Sequence, residues 1–229
     1  QLRDSLPDIE TITDKHTMVV SLLNGVDSEE LIGQRIGMEH MIYSLIRIAS
    51  HRIGNSIHFS LPKGYNGIYI GIPNQPACQD PRLAAIAEIF ADTPVTLHLS
   101  DDILLDMWDK FGLNVSRNLP QAILGVGIGV YDDSIYADAI MRRMRHEVVL
   151  VANAKGIPLT DEFKAAKWLP SQRYSTLQDL DAHRHTEIDM FSGALIRMGK
   201  EVGVECPYNE MTYNLIKALE EKNDGKFDY

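Results

Sequence analysis

The chain has 229 residues, with 22 lysines and arginines against 32 aspartates and glutamates, so its formal net charge is −10. Hydrophobic residues make up 45% of it, which is enough for one large domain or two small ones without cross-links. The acidic balance counts against nucleic acid or an anionic membrane as the main partner, because both require clustered basic residues. No apolar run reaches the length of a membrane span, and the isolated Cys78 and Cys206 favour a reducing, cytoplasmic location.

The first hundred residues alternate between strand-like and helix-like segments. A helix is expected from Ser28 towards Gly37, and a second one from Asp80 to Ala91. Runs rich in β-branched residues predict strands over residues 17–23, 40–48, 56–60, 68–72 and 95–99. The later strands follow one another closely, which favours some antiparallel pairing in an α/β domain.

After Ser100 the pattern becomes helical, so we place a domain boundary there. Asp101 or Asp102 can cap a long helix that runs through Leu119. Four further helices are expected over residues 133–154, 175–185, 186–203 and 208–223. The sequence therefore predicts an α/β domain over residues 1–100 and an all-helical domain over residues 101–229.

The segment from Met107 to Asn118 carries the clearest chemical signal. At about 100° per residue, Lys110, Asn114 and Asn118 form a polar stripe beside an apolar one. The apolar stripe consists of Leu104, Trp108, Phe111, Val115 and Leu119. One ammonium and two carboxamides provide the proton donor and the hydrogen-bonding groups that a small keto or hydroxy acid requires. A solvated helix face is the alternative, and it is the commoner use of such residues.

A second segment combines hydroxyl and carboxylate groups. Thr186 is expected to cap a helix with Asp189 at capping-box spacing, which leaves Glu187 in the first turn, where the helix dipole favours a carboxylate. Ser175 would lie about 18 Å from Glu187 along one continuous helix. Both residues reach the same small ligand only if the segment bends or if Ser175 lies in the entry turn.

Two other patterns are interpreted as structural. His183 and Glu187 would share a helix face whereas His185 would not, so no metal site is expected. The glycines of residues 125–129 resemble the start of a dinucleotide fingerprint, but Val130 occupies the sixth position and no strand precedes them. We interpret that stretch as a loop between helices.

Four motifs occur in a characteristic order along the chain. They are Leu23-Asn24-Gly25-Val26, then Trp108-x-Lys110 with Asn114 and Asn118 at spacings of four, then Ser175-x-Leu177-Gln178-Asp179, and finally Arg184-x-Thr186-Glu187-Ile188-Asp189. Together they resemble the ketopantoate reductase (2-dehydropantoate 2-reductase) family over essentially the whole chain. Each motif alone is weak, whereas the combination is specific.

The resemblance implies a fold and an activity. Residues 1–100 would be the latter part of a Rossmann-type NADP-binding domain, and residues 101–229 a helical substrate-binding domain like the C-terminal domain of 6-phosphogluconate dehydrogenase. The implied reaction is the NADPH-dependent reduction of 2-dehydropantoate to (R)-pantoate, a step in pantothenate and coenzyme A synthesis. The family's G-x-G-x-x-G fingerprint lies before the point where this chain begins, so the chain is expected to be a fragment.

The resemblance also implies roles for individual residues. Lys110 would be the general acid, and Glu187 would hold the substrate or orient Lys110. Asn24 would reach the cofactor and the substrate. The residues expected to bind the substrate are Asn114, Asn118 and Ser175.

One departure from the family pattern keeps alternatives open. Leu119-Pro120-Gln121-Ala122 stands where many members have a Pro-Leu-Thr-Ala-like run, and Arg117 precedes Asn118. A reductase of another branched 2-oxo acid is one alternative, and a non-catalytic binding or dimerisation module without a nucleotide loop is another. The oligomeric state stays open, with a homodimer formed through the helical domain as one option.

Overall fold

The computed structural model describes residues 2–48, 50–53, 56–59, 66–163, 169–227 and 229. Contacts between Cα atoms divide the chain into two compact units, Gln1–Met107 and Trp108–Tyr229. The division lies inside a helix, a few residues beyond Ser100. The first unit is an α/β structure and the second is entirely helical among its described residues, so the expected fold class is confirmed.

Among its described residues, the first unit contains three α-helices and six strands. The helices are α1 (Leu2–Ile12), α2 (Ser28–Ile36) and α3 (Pro81–Phe90). The strands are β1 (Val19–Val20), β2 (Met41–Arg47), β3 (Ser50–Ile53), β4 (Ser56–Phe59), β5 (Gly67–Gly71) and β6 (Leu97–Leu99). Residue 60, where the strand expected over residues 56–60 would end, lies outside the described residues.

Four of these strands form one sheet in the order β1-β2-β5-β6, and β3 with β4 forms a separate antiparallel hairpin. The β2–β5 pair is antiparallel, as the close spacing of the strands predicted. The β1–β2 and β5–β6 pairs are parallel. Helices α2 and α3 lie in the two connections, because parallel neighbours require a long crossover.

The core of the first unit lies between the sheet and α3. Ile42 from β2, Ile70 from β5 and Leu83 from α3 are fully buried there. Helix α3 begins where its sequence signals placed it, because the Asp80 carboxylate accepts a hydrogen bond from the backbone N–H of Arg82 at 2.9 Å.

Strand β1 is shorter than predicted. A seven-residue run was expected, but only Val19 and Val20 pair with β2. The hydroxyl of Ser44 donates to the carbonyl oxygen of Ser21, which follows directly, so a side chain occupies that acceptor. Leu22 and Leu23 are exposed, and the chain then turns.

The second unit consists of helices packed around α7. The helices are α4 (Ile103–Leu113, which begins in the first unit), α5 (Leu119–Leu124), α6 (Val130–Asp133), α7 (Ile135–Ala154), α8 (Ser175–Asp181), α9 (Ser192–Val202) and α10 (Pro207–Asn223). A single π-helical turn, Asn114–Asn118, connects α4 to α5 and is called the π turn below. No helix in the described ranges is long and apolar enough to cross a membrane.

Four helix ends of the second unit carry residue types that such ends favour. Asp102 accepts a hydrogen bond from the N–H of Leu105 at 3.2 Å, and Ser134 accepts one from Ala137 at 3.3 Å. Gly125 and Gly203 adopt left-handed conformations and end α5 and α9. Residues 125–129 form a loop between helices, as expected.

The segment between α8 and α9 differs from the prediction. We expected helices over residues 175–185 and 186–203, but α8 ends at Asp181 and α9 begins only at Ser192. His183 has a φ of 53°, a left-handed conformation that stops the helix. Residues 187–191 form tight turns instead of a first helical turn.

Candidate active site

Lys110, Asn114 and Asn118 follow one another along the polar edge of the α4–π turn segment. Lys110 lies in the last turn of α4 and is half-buried. The Nδ2 of Asn118 donates to the Oδ1 of Asn114 at 3.4 Å. Asn118 is only 7% exposed, and the apolar Phe111 and Val115 beside this row are buried. A fully solvated helix face, the alternative considered above, does not fit a buried Asn118.

The π turn is the main departure from the single α-helix expected here. It begins at Asn114 and ends at Asn118, so it contains both carboxamides. Within it, the hydroxyl of Ser116 donates to the carbonyl oxygen of Gly112 at 2.6 Å. A π turn widens the helix by one residue, and such turns occur often at functional sites. The widened turn changes the direction of the residues after Asn114 from the one that a period of 3.6 predicts.

Arg117 lies inside the π turn and is partly buried. Its guanidinium carbon lies 4.6 Å from the centre of the Phe163 ring, and the hydroxyl of Tyr131 donates to the Arg117 carbonyl oxygen at 2.5 Å. Burial lowers the pKa of Arg117 and raises that of Tyr131. A cation is therefore present within the turn that joins the two asparagines.

Ser175 is the first residue of α8 and is exposed. Helix α8 packs against α5 and against the π turn. The side chain of Gln121, which is fully buried, donates from Nε2 to the carbonyl oxygen of Gln172 at 2.8 Å and accepts the N–H of Tyr174 at 2.9 Å. Gln121 thus fixes the chain immediately before Ser175 to the helix that follows Asn118. Nothing in the local sequence distinguishes Gln121 from a surface glutamine, so this role could not be predicted.

Glu187 lies in a turn before α9 and is half-buried. Its carbonyl oxygen accepts the N–H groups of Met190 at 2.9 Å and Phe191 at 3.2 Å. Its neighbour Ile188 is fully buried, as is Phe191. The segment between Ser175 and Glu187 does bend, as a shared ligand site would require.

The expected capping box between Thr186 and Asp189 does not form. The Thr186 hydroxyl accepts the N–H of Ile188 at 3.2 Å, and the Asp189 carboxylate accepts the hydroxyl of Tyr213 at 2.7 Å. His183 is not helical, and no group of metal-ligating side chains is found among the described residues.

Asn24 belongs to the first unit, whereas the other five candidate residues belong to the second. It is half-buried in the turn after β1, and Gly25 beside it has a φ of 102°. The carboxyl ends of parallel strands are the usual ligand-binding edge of α/β sheets. Since β1 is parallel to β2, this turn occupies such an edge.

A buried polar cluster joins the residues on the two sides of this turn. The Ser21 and Ser28 hydroxyls lie 2.8 Å apart, and the Ser28 hydroxyl donates to the Glu29 carboxylate at 2.9 Å. Glu29 is 1% exposed, and its burial raises the pKa of its carboxyl to about 7. In the sequence, Glu29 stands in the first turn of α2, where a carboxylate is commonplace, so its burial has no local signal.

Family models agree with this architecture. The model described as the C-terminal part of ketopantoate reductase PanE/ApbA matches residues 102–220, and the model described as ketopantoate reductase PanE/ApbA matches residues 1–75. The chain belongs to the ketopantoate reductase family. The resemblance inferred from the four motifs is therefore confirmed.

Individual relatives point the same way. A 2-dehydropantoate 2-reductase from Streptococcus pyogenes serotype M1 is 28% identical over 232 residues, which cover 96% of this chain and 73% of that protein. The crystal structure of a PanE/ApbA family ketopantoate reductase from Ralstonia eutropha JMP134 superposes with a TM-score of 0.82 at 25% identity, covering 97% of this chain and 73% of that one. A D-mandelate dehydrogenase with NADH and anilino(oxo)acetate shares the fold, with a TM-score of 0.83 at 24% identity and coverage of 98% and 74%.

Proposed function

We propose that this ketopantoate reductase family member reduces a 2-oxo acid with NADPH, and that 2-dehydropantoate, the precursor of (R)-pantoate in pantothenate synthesis, is its substrate. The observation that carries the proposal is the row of Lys110, Asn114 and Asn118, which borders the core of the helical unit and passes through a π turn. The names of the curated relatives support the choice of substrate.

The chemistry of these groups suits the reaction. Reduction of a ketone converts its oxygen into a hydroxyl group, and the ammonium of Lys110 is the proton donor for that oxygen. A cation beside the developing charge also stabilises it. The two carboxamides and the Ser175 hydroxyl donate hydrogen bonds to the carboxylate and hydroxyl groups of the acid, and Glu187 binds the substrate or orients Lys110.

The turn at Asn24 fits a nicotinamide cofactor. Its carboxamide has one donor and one acceptor group, as the nicotinamide carboxamide does, and it lies at the carboxyl edge of parallel strands. When bound, the cofactor supplies the hydride. In this proposal residues 1–100 take part in binding NADP, and residues 101–229 bind the substrate.

The first experiment is NADPH oxidation by the intact gene product, with 2-dehydropantoate offered beside a panel of branched 2-oxo acids. Replacing Lys110 by Ala is expected to lower kcat by about two orders of magnitude or more, the usual size of a general-acid contribution. Lys155→Ala is the matched control, because Lys155 caps α7 and pairs with Glu201. A Lys110→Ala variant that keeps nearly full activity would remove Lys110 from the mechanism.

The panel of 2-oxo acids is needed because Arg117 lies beside the two asparagines of the candidate site. A partly buried guanidinium inside the π turn is a further group that a second carboxylate or a polar substituent of another 2-oxo acid could contact. Preference for another acid would keep the mechanism and change the substrate. A folded protein that oxidises NADPH with none of the acids would favour a binding or dimerisation module.

The homodimer and the cytoplasmic location stay predictions. Sedimentation of the intact protein tests the homodimer.

A further inference from the structure

Glu220 is a buried carboxylate that the proposed reaction does not use. It lies near the end of α10 and its side chain is 2% exposed. An ionised carboxylate in such a position requires partners, because the loss of water must be compensated. Its partners show what it does.

The first partner is Thr186, the residue immediately before Glu187. Both its backbone N–H and its hydroxyl donate to Oε1 of Glu220, each at 2.7 Å. The second partner is Lys217, whose ammonium lies 3.0 Å from Oε2. Burial alone would raise the pKa of Glu220, but the two hydrogen bonds from Thr186 and the ion pair with Lys217 hold it below its ordinary value. Glu220 therefore remains a carboxylate while it is buried.

The same face of α10 also holds the other side of the turn. Tyr213 donates to Oδ1 of Asp189 at 2.7 Å, and Lys217 lies 3.4 Å from Oδ2 of the same residue. Tyr213, Lys217 and Glu220 are spaced by four and three residues, so they lie on one helix face. Thr186 and Asp189 flank Glu187, which is thus held from both sides.

We propose that Glu220 is a positioning residue for Glu187: by binding Thr186, it fixes the turn 186–191 in the one conformation in which Glu187 meets the substrate or Lys110. The inference rests on the proposed function, because it assigns a purpose to the position of Glu187. The apolar anchors Ile188 and Phe191 hold the turn against the core, but they do not specify the direction of the carboxylate between them. The charged hydrogen bonds supply that direction.

The experiment compares five single variants and one double variant of the intact protein. Glu220→Gln retains the shape and removes the charge, and Thr186→Val removes the hydroxyl. Thr186→Ser restores the hydroxyl, and Glu221→Gln is the matched control, because Glu221 is the next residue on α10 and pairs with Lys226. Glu187→Gln provides the background for a double-mutant comparison.

We expect Glu220→Gln and Thr186→Val to lower kcat/KM for the 2-oxo acid at least tenfold while KM for NADPH stays within twofold. Thr186→Ser and Glu221→Gln should stay within twofold for both. In the Glu187→Gln background, adding Glu220→Gln should lower kcat/KM for the 2-oxo acid by less than a further twofold, because its effect passes through Glu187. Losses that multiply instead, or a Glu220→Gln enzyme within twofold of the native one, would overturn the proposal.

Hydrogen exchange supplies a readout that does not depend on turnover. In Glu220→Gln the amides of residues 186–191 should exchange at least tenfold faster, with unchanged protection in α7. Unchanged exchange in the turn overturns the inference even if activity falls. If the native protein reduces no 2-oxo acid, the proposed function fails. If Glu187→Gln is fully active, the reduction stands, but the role of Glu187 fails and with it the purpose assigned to Glu220. In both cases the exchange result still decides whether Glu220 holds the turn.

Discussion

A buried arginine beside the candidate site allows a sharp test of the packing. The Arg145 side chain is 1% exposed. Its guanidinium donates hydrogen bonds to the carbonyl oxygen of Thr160 at 2.9 Å, to the carboxylate of Asp109 at 3.2 Å and to the carbonyl oxygen of Asp109 at 3.3 Å. It packs directly over Gly112 of α4. A methyl group added there would lie 2.0 Å from Nη1 of Arg145.

We expect Gly112→Ala to destabilise the protein by about 2 kcal/mol. Alanine gains about 1 kcal/mol of helix propensity over glycine. The guanidinium, however, must retreat by roughly 1.5 Å to restore van der Waals distance, which breaks two charge-assisted hydrogen bonds at about 1.5 kcal/mol each. The unfavourable contribution is the larger.

The sign of the effect should reverse in an Arg145→Met background. Methionine ends before the position of Nη1, so the added methyl group meets no guanidinium, and only the helix propensity remains. Arg145→Met itself should cost about 3 kcal/mol, because it leaves Asp109 without its buried cation. Adding Gly112→Ala to it should then recover about 1 kcal/mol.

Urea unfolding followed by far-UV circular dichroism measures all four proteins. The expected coupling between the two substitutions is about 3 kcal/mol. A Gly112→Ala substitution that stabilises the native background, or that destabilises both backgrounds equally, would refute the reasoning, since neither result is compatible with Arg145 as the obstacle.

Two further predictions concern buried carboxylates. Burial raises the pKa of Glu29 from 4.5 to about 7, so the native fold should lose about 3 kcal/mol of stability as the pH rises from 4.5 to 7. In urea unfolding, Glu29→Gln should therefore be as stable as the native protein at pH 5 and more stable at pH 8. Equal stability of the two proteins at pH 8 would contradict this expectation. The Glu147 carboxylate accepts the backbone N–H groups of Tyr208 at 2.8 Å and Asn209 at 3.0 Å, and the side-chain amide of Asn209 at 2.6 Å. Glu147→Ala should therefore lower the free energy of unfolding by about 3 kcal/mol. The control, Glu201→Ala at an exposed position, should leave it unchanged.

The features that the sequence predicted are those with local causes. The stripe from Trp108 to Leu119 follows from helical periodicity, and all four of its members in that range are buried. Asp80 and Asp102 cap helices α3 and α4 where those helices were expected to begin. Each of these signals depends on residues within one or two turns of each other.

The features that the sequence did not predict depend on distant partners. The π turn cannot be seen in a pattern of period 3.6, because one extra residue per turn shifts the phase without changing composition. The helix expected to begin at Thr186 begins six residues later, at Ser192. Thr186 binds Glu220, which lies thirty-four residues further along the chain, and the local sequence gives no sign of that contact. Helix α1 was missed because Pro7 interrupts its pattern and none of its residues is buried.

The candidate site residues lie in irregular turns, whereas the side chains that hold these turns lie on regular α-helices. This difference explains why polar contacts between segments matter here. Asn114 and Asn118 lie in a π turn and Glu187 in a tight turn, conformations that their local sequence specifies weakly. The side chains that hold the chain beside Ser175 and Glu187 are Gln121 and Glu220, and both project from regular α-helices. Apolar contacts are non-directional, so a core of Ile188 and Phe191 alone tolerates small rotations of the turn. A hydrogen bond to a buried carboxylate or amide tolerates far less, since its loss leaves an unpaired polar group. Substitution of these supports should therefore reduce the precision of the site before it reduces the stability of the fold.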